Sequence, residues 1–238
     1  MMSKEANLTN EGGYEGKITY LANIMGLWMI QSVRNKLAPE MSYGELCEQA
    51  SREKIDSIVD CQDERFLSPD DMVTAIQDYC RETSQTVPET LPELASVVYN
   101  SLAKCYMEKL QEIEKIVGRT FFPAAESSYP RLAQEVDFPL PPLLFVKQIV
   151  FVTRFSFITD IIGGGSNAVY LNELTAKYTG VPVYAGPGEA TAIGNILTQM
   201  IQSGEFADLK QAQSSYPRLA QEVDFPLPPL LFVKQIVF

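Results

Sequence analysis

The chain has 238 residues, of which 46% are apolar, and this is enough hydrophobic material for a folded core. Its 30 acidic and 19 basic residues give a net charge of -11, which argues against nucleic acid as a partner. The chain contains no histidine, and this excludes His-based catalytic triads and most catalytic zinc sites.

The four cysteines are expected to be the reduced thiols of a cytoplasmic protein. Cys47, Cys61, Cys80 and Cys105 form no Cys-x-x-Cys pair, so we expect no metal site, and a disulfide between two of them stays open. The polar start, Met1–Asn10, lacks the apolar core of a signal peptide. No run reaches the roughly 18 apolar residues of a spanning helix, so no membrane contact is expected.

The first part of the chain is predicted to be mostly helical. A loop and short strand over Gly12–Leu21 precede a helix from about Ala22 to Leu37, which Pro39 ends. Capping patterns at Ser42 and at Ser68–Asp71 then start two further helices. We expect the Met and aromatic side chains of this helical block to form a core rather than a binding surface.

The longest predicted helix lies between Thr90 and Gly118. Thr90 and Glu93 form a capping box, and apolar residues recur at helical spacing until Gly118. The pattern therefore predicts one long helix with an apolar stripe along it.

One segment of the chain occurs twice, because Ser127–Phe151 is repeated residue for residue as Ser214–Phe238. A solenoid needs several diverged copies, so a single identical duplicate indicates either a recent insertion or an artificial junction of sequences. The apolar halves, Leu143–Phe151 and Leu230–Phe238, have strand propensity and one charge each, and we predict that they pair with exposed sheet edges. Self-association of a non-catalytic, rearranged protein through these halves is the alternative function.

Two strand–turn–helix units follow the first copy. An apolar strand ends in a run of three glycines, after which Ser166 and Asn167 are predicted to cap a helix that Gly180 ends. A second strand, Val181–Ala185, leads to another glycine-containing turn and a helix that begins at Glu189. Such tandem units indicate an α/β layer, whose ligands bind outside the carboxyl ends of the strands.

The glycine run has two interpretations. Consecutive glycines let a flat ligand approach the main chain closely, which favours a nucleotide-binding shelf. The spacing fits neither the dinucleotide fingerprint nor the lysine-bearing phosphate loop, so a tight structural turn is the other interpretation.

Three blocks of sequence resemble one known family. The blocks are Asn10–Gly13 with Asn23–Trp28, Gly163–Asn167 with Tyr170–Asn172, and Ala185–Asn195. Together they resemble the carboxy-terminal domain of rhamnulokinases, a family of FGGY carbohydrate kinases. The resemblance covers roughly residues 7–117 and 161–211, and both copies of the duplicated segment lie outside it.

This resemblance implies an α/β, ribonuclease H-like fold of the actin-like ATPase class, truncated at its first strands and with a mostly helical central block. Residues 1–126 would form the first part of the domain, and 127–154 an inserted segment in which 127–151 is copy 1. Residues 155–213 would complete the domain, and 214–238 would be copy 2.

The resemblance also implies ATP and Mg²⁺ as cofactors. Asn23, Gln31 and Gly164 would contact ATP, with Gly163 and Gly165 in the same turn. On a single helix the two amide side chains would project about 80° apart and reach one ligand. Gly194, near the end of the third block, is expected to permit close packing between helices.

The sugar side of such a kinase has no counterpart in this chain. By resemblance the acceptor would be L-rhamnulose, bound only with a complementary amino-terminal domain that also carries the catalytic aspartate. Phosphoryl transfer depends on positioning and charge stabilisation from both sides, so we expect no turnover by the chain alone. We therefore nominate no catalytic residue in it.

Overall fold

The structure of the protein is a computed structural model. It describes residues 8–12, 18–22, 24, 26–118, 150–152, 159–180, 183–186, 188–212 and 233–235. In these ranges, helices and strands alternate in the second part of the chain. The strands are β1 (Leu8–Gly12), β2 (Ile18–Ala22), β3 (Val150–Val152), β4 (Thr159–Ile161), β5 (Val183–Ala185) and β6 (Val233–Gln235). The α-helices are α1 (Trp28–Leu37), α2 (Tyr43–Ala50), α3 (Met72–Glu82), α4 (Leu91–Val117), α5 (Val169–Thr179) and α6 (Ala190–Gln202). Short 3₁₀ helices span Glu64–Phe66 and Gly163–Asn167.

Strands β1 and β2 form an antiparallel hairpin in which Leu8 pairs with Ala22. Both residues are buried and pack against Ile113 of α4, with Ile24 and Ile116 partly buried beside them. The hairpin therefore covers the carboxy-terminal half of α4.

Helix α1 begins later than the sequence predicted. A helix start at Ala22 was wrong, because that residue ends β2 and pairs with Leu8 across the hairpin. Gly26 then has φ of 67°, a left-handed conformation in which a right-handed helix does not continue. Leu27 is the N-cap, and the helix starts at Trp28.

The capping predictions for the helical block are confirmed. The backbone N–H of Glu45 donates to the Ser42 hydroxyl at 3.1 Å, and Thr90 with Glu93 forms a complete capping box. Helix α4 ends at Gly118, whose φ of 64° is left-handed. Each of these signals depends on residues within about one turn of chain.

Helix α4 lies at the centre of the core, where it packs against α1, α2 and α5. Its buried face carries apolar residues, and facing helices contribute others: Leu94, Val98 and Leu102 of α4, Met29 and Ile30 of α1, Leu46 of α2, and Leu171 and Leu174 of α5. Because α5 follows the duplicated segment, residues from both sides of that segment share one core. No helix in the described ranges is both long enough and apolar enough to cross a membrane.

All four cysteines are free thiols in this core, so the disulfide that the sequence left open is not formed. Burial raises the pKa of Cys47, of Cys61 and of Cys80, and it raises the pKa of Cys105 to about 11. Since the thiolate is the reactive form, these side chains are chemically inert in the folded chain.

The amino-terminal end of α3 is capped by Asp71. Its carboxylate accepts a hydrogen bond from the N–H of Val73 at 3.1 Å and from the Thr74 hydroxyl at 2.6 Å, and it forms an ion pair with Lys36 of α1. The Lys36 ammonium, followed by the Thr74 hydroxyl, lowers the pKa of Asp71 from 3.8 to about 2. Asp71 therefore links the start of α3 to the end of α1.

We expect Asp71→Ala to lower the free energy of unfolding by about 0.5–2 kcal/mol at neutral pH, because a helix N-cap is lost. A pKa that is lower in the folded state means that the ionised carboxylate stabilises the fold above about pH 4. That contribution is lost as the pH falls through 2, the folded pKa of Asp71. Urea unfolding between pH 7 and 2 should show the difference between the two proteins shrinking in acid, whereas exposed Asp70→Ala should behave as wild type.

The second sheet has the strand order β3-β4-β5-β6. Strand β3 is antiparallel to β4, whereas β5 is parallel to both β4 and β6. Residues Val150 and Phe151 of copy 1 lie in β3, and all of β6 belongs to copy 2. The predicted pairing of both copies with sheet edges is thus confirmed for these residues; the rest of both copies lies outside the described ranges.

Candidate functional site

Two glycine turns lie next to each other at the carboxyl ends of β4 and β5. The last residues of these parallel strands, Ile161 and Ala185, are paired in register. The N–H of Gly186 then donates a hydrogen bond to the Ile161 carbonyl at 2.6 Å. We call Gly163–Asn167 the first glycine turn, and the second consists of Gly186 and Gly188. This edge is where ligands bind in parallel α/β sheets.

The first glycine turn is a 3₁₀ helix rather than a helix cap. The prediction that Ser166 and Asn167 cap α5 was wrong, because the N-cap of α5 is Ala168 and it makes no side-chain capping bond. The Ser166 hydroxyl instead donates to the Gly163 carbonyl at 2.7 Å, and the Ala168 N–H donates to the Gly165 carbonyl at 3.0 Å. The polar groups of the turn therefore bind the turn itself.

The second glycine turn packs against the first, most tightly at Gly186. A Cβ atom at Gly186 would lie 2.4 Å from Cγ2 of Ile162, so only glycine fits there. A Cβ at Gly163 would lie 3.9 Å from the carbonyl oxygen of Gly188, and one at Gly188 would lie 3.8 Å from Nδ2 of Asn167. Gly163 and Gly188, one from each turn, therefore lie in van der Waals range of each other.

The three glycines of the first turn have different environments. Gly163 has φ of 75°, a conformation that side chains rarely adopt. Gly165 is buried, and a Cβ there would contact Leu27 at 3.8 Å and Ile161 at 3.9 Å. Gly164 is exposed, has no positive φ, and a Cβ there would meet no atom of the described residues within 4 Å. The fold requires glycine at the first of these positions but not at Gly164.

The start of helix α1 lies beside this site, because its N-cap residue, Leu27, is next to Gly165. The N–H of Gln31 donates to the Leu27 carbonyl at 3.0 Å, so Gln31 lies one helical turn beyond the contact, and it is exposed. Asn23 lies outside the described residues. Since α1 begins at Trp28, the argument that Asn23 and Gln31 project from one helix was wrong. The structure brings the three glycines and the start of α1 together and leaves Asn23 untested.

The first turn of α5 is held by neighbouring helices. The N–H of Tyr170 donates to Sγ of Cys47 at 3.3 Å, which satisfies one of the backbone donors left free at a helix start. The Tyr170 hydroxyl accepts a hydrogen bond from Nδ2 of Asn100 at 3.2 Å, and its ring packs edge-on against Tyr99. These contacts fix the first glycine turn relative to α2 and α4.

Sequence reasoning missed two parts of this site. Asn172 is fully buried and donates from Nδ2 to the Ser166 carbonyl at 2.9 Å; its one signal was an amide beside apolar Leu171 and Leu174. The contact of Leu27 with the glycine turn had no signal in the sequence, because it joins distant parts of the chain. No group of three or more Cys, Asp or Glu side chains that could hold a metal occurs in the ranges that the structure covers.

Comparisons with known proteins agree on one family. The profile of the FGGY family of carbohydrate kinases, C-terminal domain, matches residues 3–203. The chain is 38% identical over 218 residues to the rhamnulokinase of Enterococcus faecalis, 37% over 204 residues to that of Lactiplantibacillus plantarum, and 36% over 213 residues to that of Bacillus subtilis.

These alignments cover most of this chain but a minor part of each relative. They include 90%, 85% and 89% of this chain, and 37%, 35% and 37% of the three rhamnulokinases respectively. The chain therefore spans little more than a third of the length of the relatives it matches.

Proposed function

Because the chain belongs to the FGGY family of carbohydrate kinases, we propose that it forms the nucleotide-binding part of an ATP-dependent sugar kinase. The observation that carries this proposal is Gly164. A structural turn accounts for Gly163, whose φ is positive, and for Gly186, whose Cβ would clash. Gly164 meets neither requirement among the described residues, and close approach of a ligand to its main chain is a sufficient reason for a glycine there.

The proposed site for ATP lies over the first glycine turn and beside the start of α1. Gly163, Gly164 and Gly165 would provide a flat surface of main chain, and the amides of Gln31 and Asn23 would provide hydrogen bonds. An amide side chain can both donate to and accept from a purine or ribose. Magnesium would come with the nucleotide, since it binds mainly through phosphate oxygens and water.

We propose that the complete kinase phosphorylates L-rhamnulose, in keeping with the names of the relatives. The γ-phosphoryl group of ATP would pass to a sugar hydroxyl, giving ADP and L-rhamnulose 1-phosphate. We place the sugar site and the catalytic base outside this chain and assign no residue here to catalysis. A coupled assay for ADP release, with and without an amino-terminal kinase domain added as a second chain, tests whether such a domain restores turnover.

The sharpest test of nucleotide binding is Gly164→Val. We expect millimolar Mg-ATP to raise the unfolding midpoint of the wild type, since a ligand at a hundredfold excess over its Kd stabilises by about 2.7 kcal/mol. In Gly164→Val the midpoint without ligand should be close to that of the wild type, because a Cβ there meets no described atom within 4 Å, and the rise with Mg-ATP should disappear.

The matched control is Gly44→Val on α2, where a Cβ also meets no atom within 4 Å. This variant should keep the rise of the wild type. A wild type that does not respond to Mg-ATP, or a Gly164→Val variant that responds fully, contradicts the proposal.

The alternative of a self-associating, non-catalytic protein has less support. Parts of both duplicated segments supply β3 and β6 to the sheet of the chain itself, which accounts for their strand propensity without a second molecule. Deletion of residues 214–238 followed by sedimentation at several concentrations separates the two cases, because only the alternative requires the deletion to abolish an oligomer.

A further inference from the structure

Asn172 is the side chain through which α5 reaches back to the first glycine turn. It lies in the first turn of the helix, and it is 0% exposed. Its Nδ2 donates a hydrogen bond to the Ser166 carbonyl at 2.9 Å, near the end of the turn. A hydrogen bond from a rigid helix to a loop carbonyl fixes the plane of that peptide, because the peptide unit is planar.

The oxygen of the Asn172 side-chain amide indicates that this residue does more than fill space. Its Oδ1 is buried and has no hydrogen-bond partner in the part of the chain that the structure describes. An unpaired buried acceptor is unfavourable, and an apolar side chain of similar volume would avoid that penalty. Exchanging Nδ2 and Oδ1 would place an acceptor against the Ser166 carbonyl, so the orientation of the amide is fixed.

Three of the hydrogen bonds at the turn involve its carbonyl groups, and the Asn172 bond is the one of these that comes from the side chain of a neighbouring helix. The Gly163 carbonyl is bound by the Ser166 hydroxyl and the Gly165 carbonyl by the Ala168 N–H, both from within or next to the turn. Ser166 is itself buried, so its carbonyl has Asn172 in place of water as its partner. Loss of this bond would free the peptide that joins the turn to α5.

We propose that Asn172 is a positioning residue, which holds the first glycine turn in the conformation that receives the nucleotide. The proposal rests on the proposed function for the role of the turn, but the rigidity that Asn172 gives the turn can be measured without any ligand. It predicts a local effect at the turn that exceeds any effect on the rest of the fold.

The first experiment compares amide hydrogen exchange in wild type, Asn172→Leu and Asn172→Asp. The leucine variant removes the donor and the unpaired acceptor, and the aspartate variant keeps the shape but replaces the donor by an oxygen. In both we expect the amides of residues 166–168 to exchange about tenfold faster, the factor that corresponds to one lost hydrogen bond. Amides in α4 should exchange as in wild type.

Thr175→Val provides the control for a general weakening of α5. Thr175 is buried one turn further along the helix, and its hydroxyl donates to the Leu171 carbonyl at 2.7 Å rather than to the turn. This variant should leave exchange at residues 166–168 unchanged. Unchanged exchange at the turn in Asn172→Leu, or an equal increase in Thr175→Val, would overturn the proposal.

The second experiment measures Mg-ATP affinity by titration of the same full-length variants. We expect Asn172→Leu to weaken binding about tenfold, with Thr175→Val near wild type. If the wild type binds no nucleotide while exchange at the turn still rises in Asn172→Leu, the proposed function fails and the positioning of the turn stands. If the wild type binds and Asn172→Leu binds equally well, the positioning role for the nucleotide fails.

Discussion

Replacing Phe66 with alanine is expected to lower the free energy of unfolding by about 3–5 kcal/mol. The ring is fully buried in the core, and its centroid lies 5.8 Å from that of Tyr79 on α3. The Phe66 carbonyl also accepts a hydrogen bond from Nε1 of Trp28 at 3.2 Å. Removing the ring leaves a cavity between α1 and α3, and the loss is a large fraction of the total stability of about 5–15 kcal/mol typical of a domain.

Urea unfolding followed by fluorescence measures this effect directly, because Trp28 is the single tryptophan of the chain and lies beside the new cavity. Leu67→Ala is the matched control, since Leu67 is the next residue and is 68% exposed. We expect that control to change the free energy of unfolding by less than about 0.5 kcal/mol. Equal effects at the two positions would mean that the core does not form as described.

Gly186→Ala is expected to damage both stability and nucleotide binding. The new Cβ would lie 2.4 Å from Cγ2 of Ile162, a branch next to the backbone that cannot swing away. The main chain would have to move, which strains the bond from the Gly186 N–H to the Ile161 carbonyl. We expect a loss of about 1–3 kcal/mol in the free energy of unfolding. Because the two glycine turns touch, Mg-ATP affinity should fall about tenfold or more.

Gly194→Ala on α6 is the control for this substitution. The sequence predicted close helix packing at Gly194, but among the described residues none packs there: Gly194 is exposed, and a Cβ would meet no described atom within 4 Å. Alanine should therefore stabilise the helix by about 0.5–1 kcal/mol. Thermal unfolding of both variants should move the midpoints in opposite directions, and a Gly186→Ala midpoint at or above wild type would contradict the described packing.

The parts of the fold that the sequence predicted are those with local causes. The caps at Ser42 and Thr90 and the end of α4 at Gly118 all depend on residues within a few positions of each other. The start of α1 was missed because Ala22 belongs to a hairpin with distant Leu8, and helical periodicity contains no information about that pairing.

The sequence predicted the position of the candidate site but not the contacts that hold its residues in place. The strand–turn–helix pattern predicted that the glycines would meet at one sheet edge, because parallel strands end there. Ser166 was misassigned since a serine before a helix is typically a cap, whereas here a 3₁₀ turn competes for its hydroxyl. The Leu27 and Asn172 contacts with the turn arise only when the elements pack.

The four buried thiols can be used to measure local opening of the folded chain. An alkylating reagent can reach a thiol only when the surrounding segment opens, so the rate of labelling gives the free energy of that opening. Cys47 on α2, Cys80 on α3 and Cys105 on α4 sit on three different helices, and Cys61 precedes the 3₁₀ helix of Phe66. Mass spectrometry of labelled peptides would therefore map which helix of the block loosens first, and it requires no engineered probe.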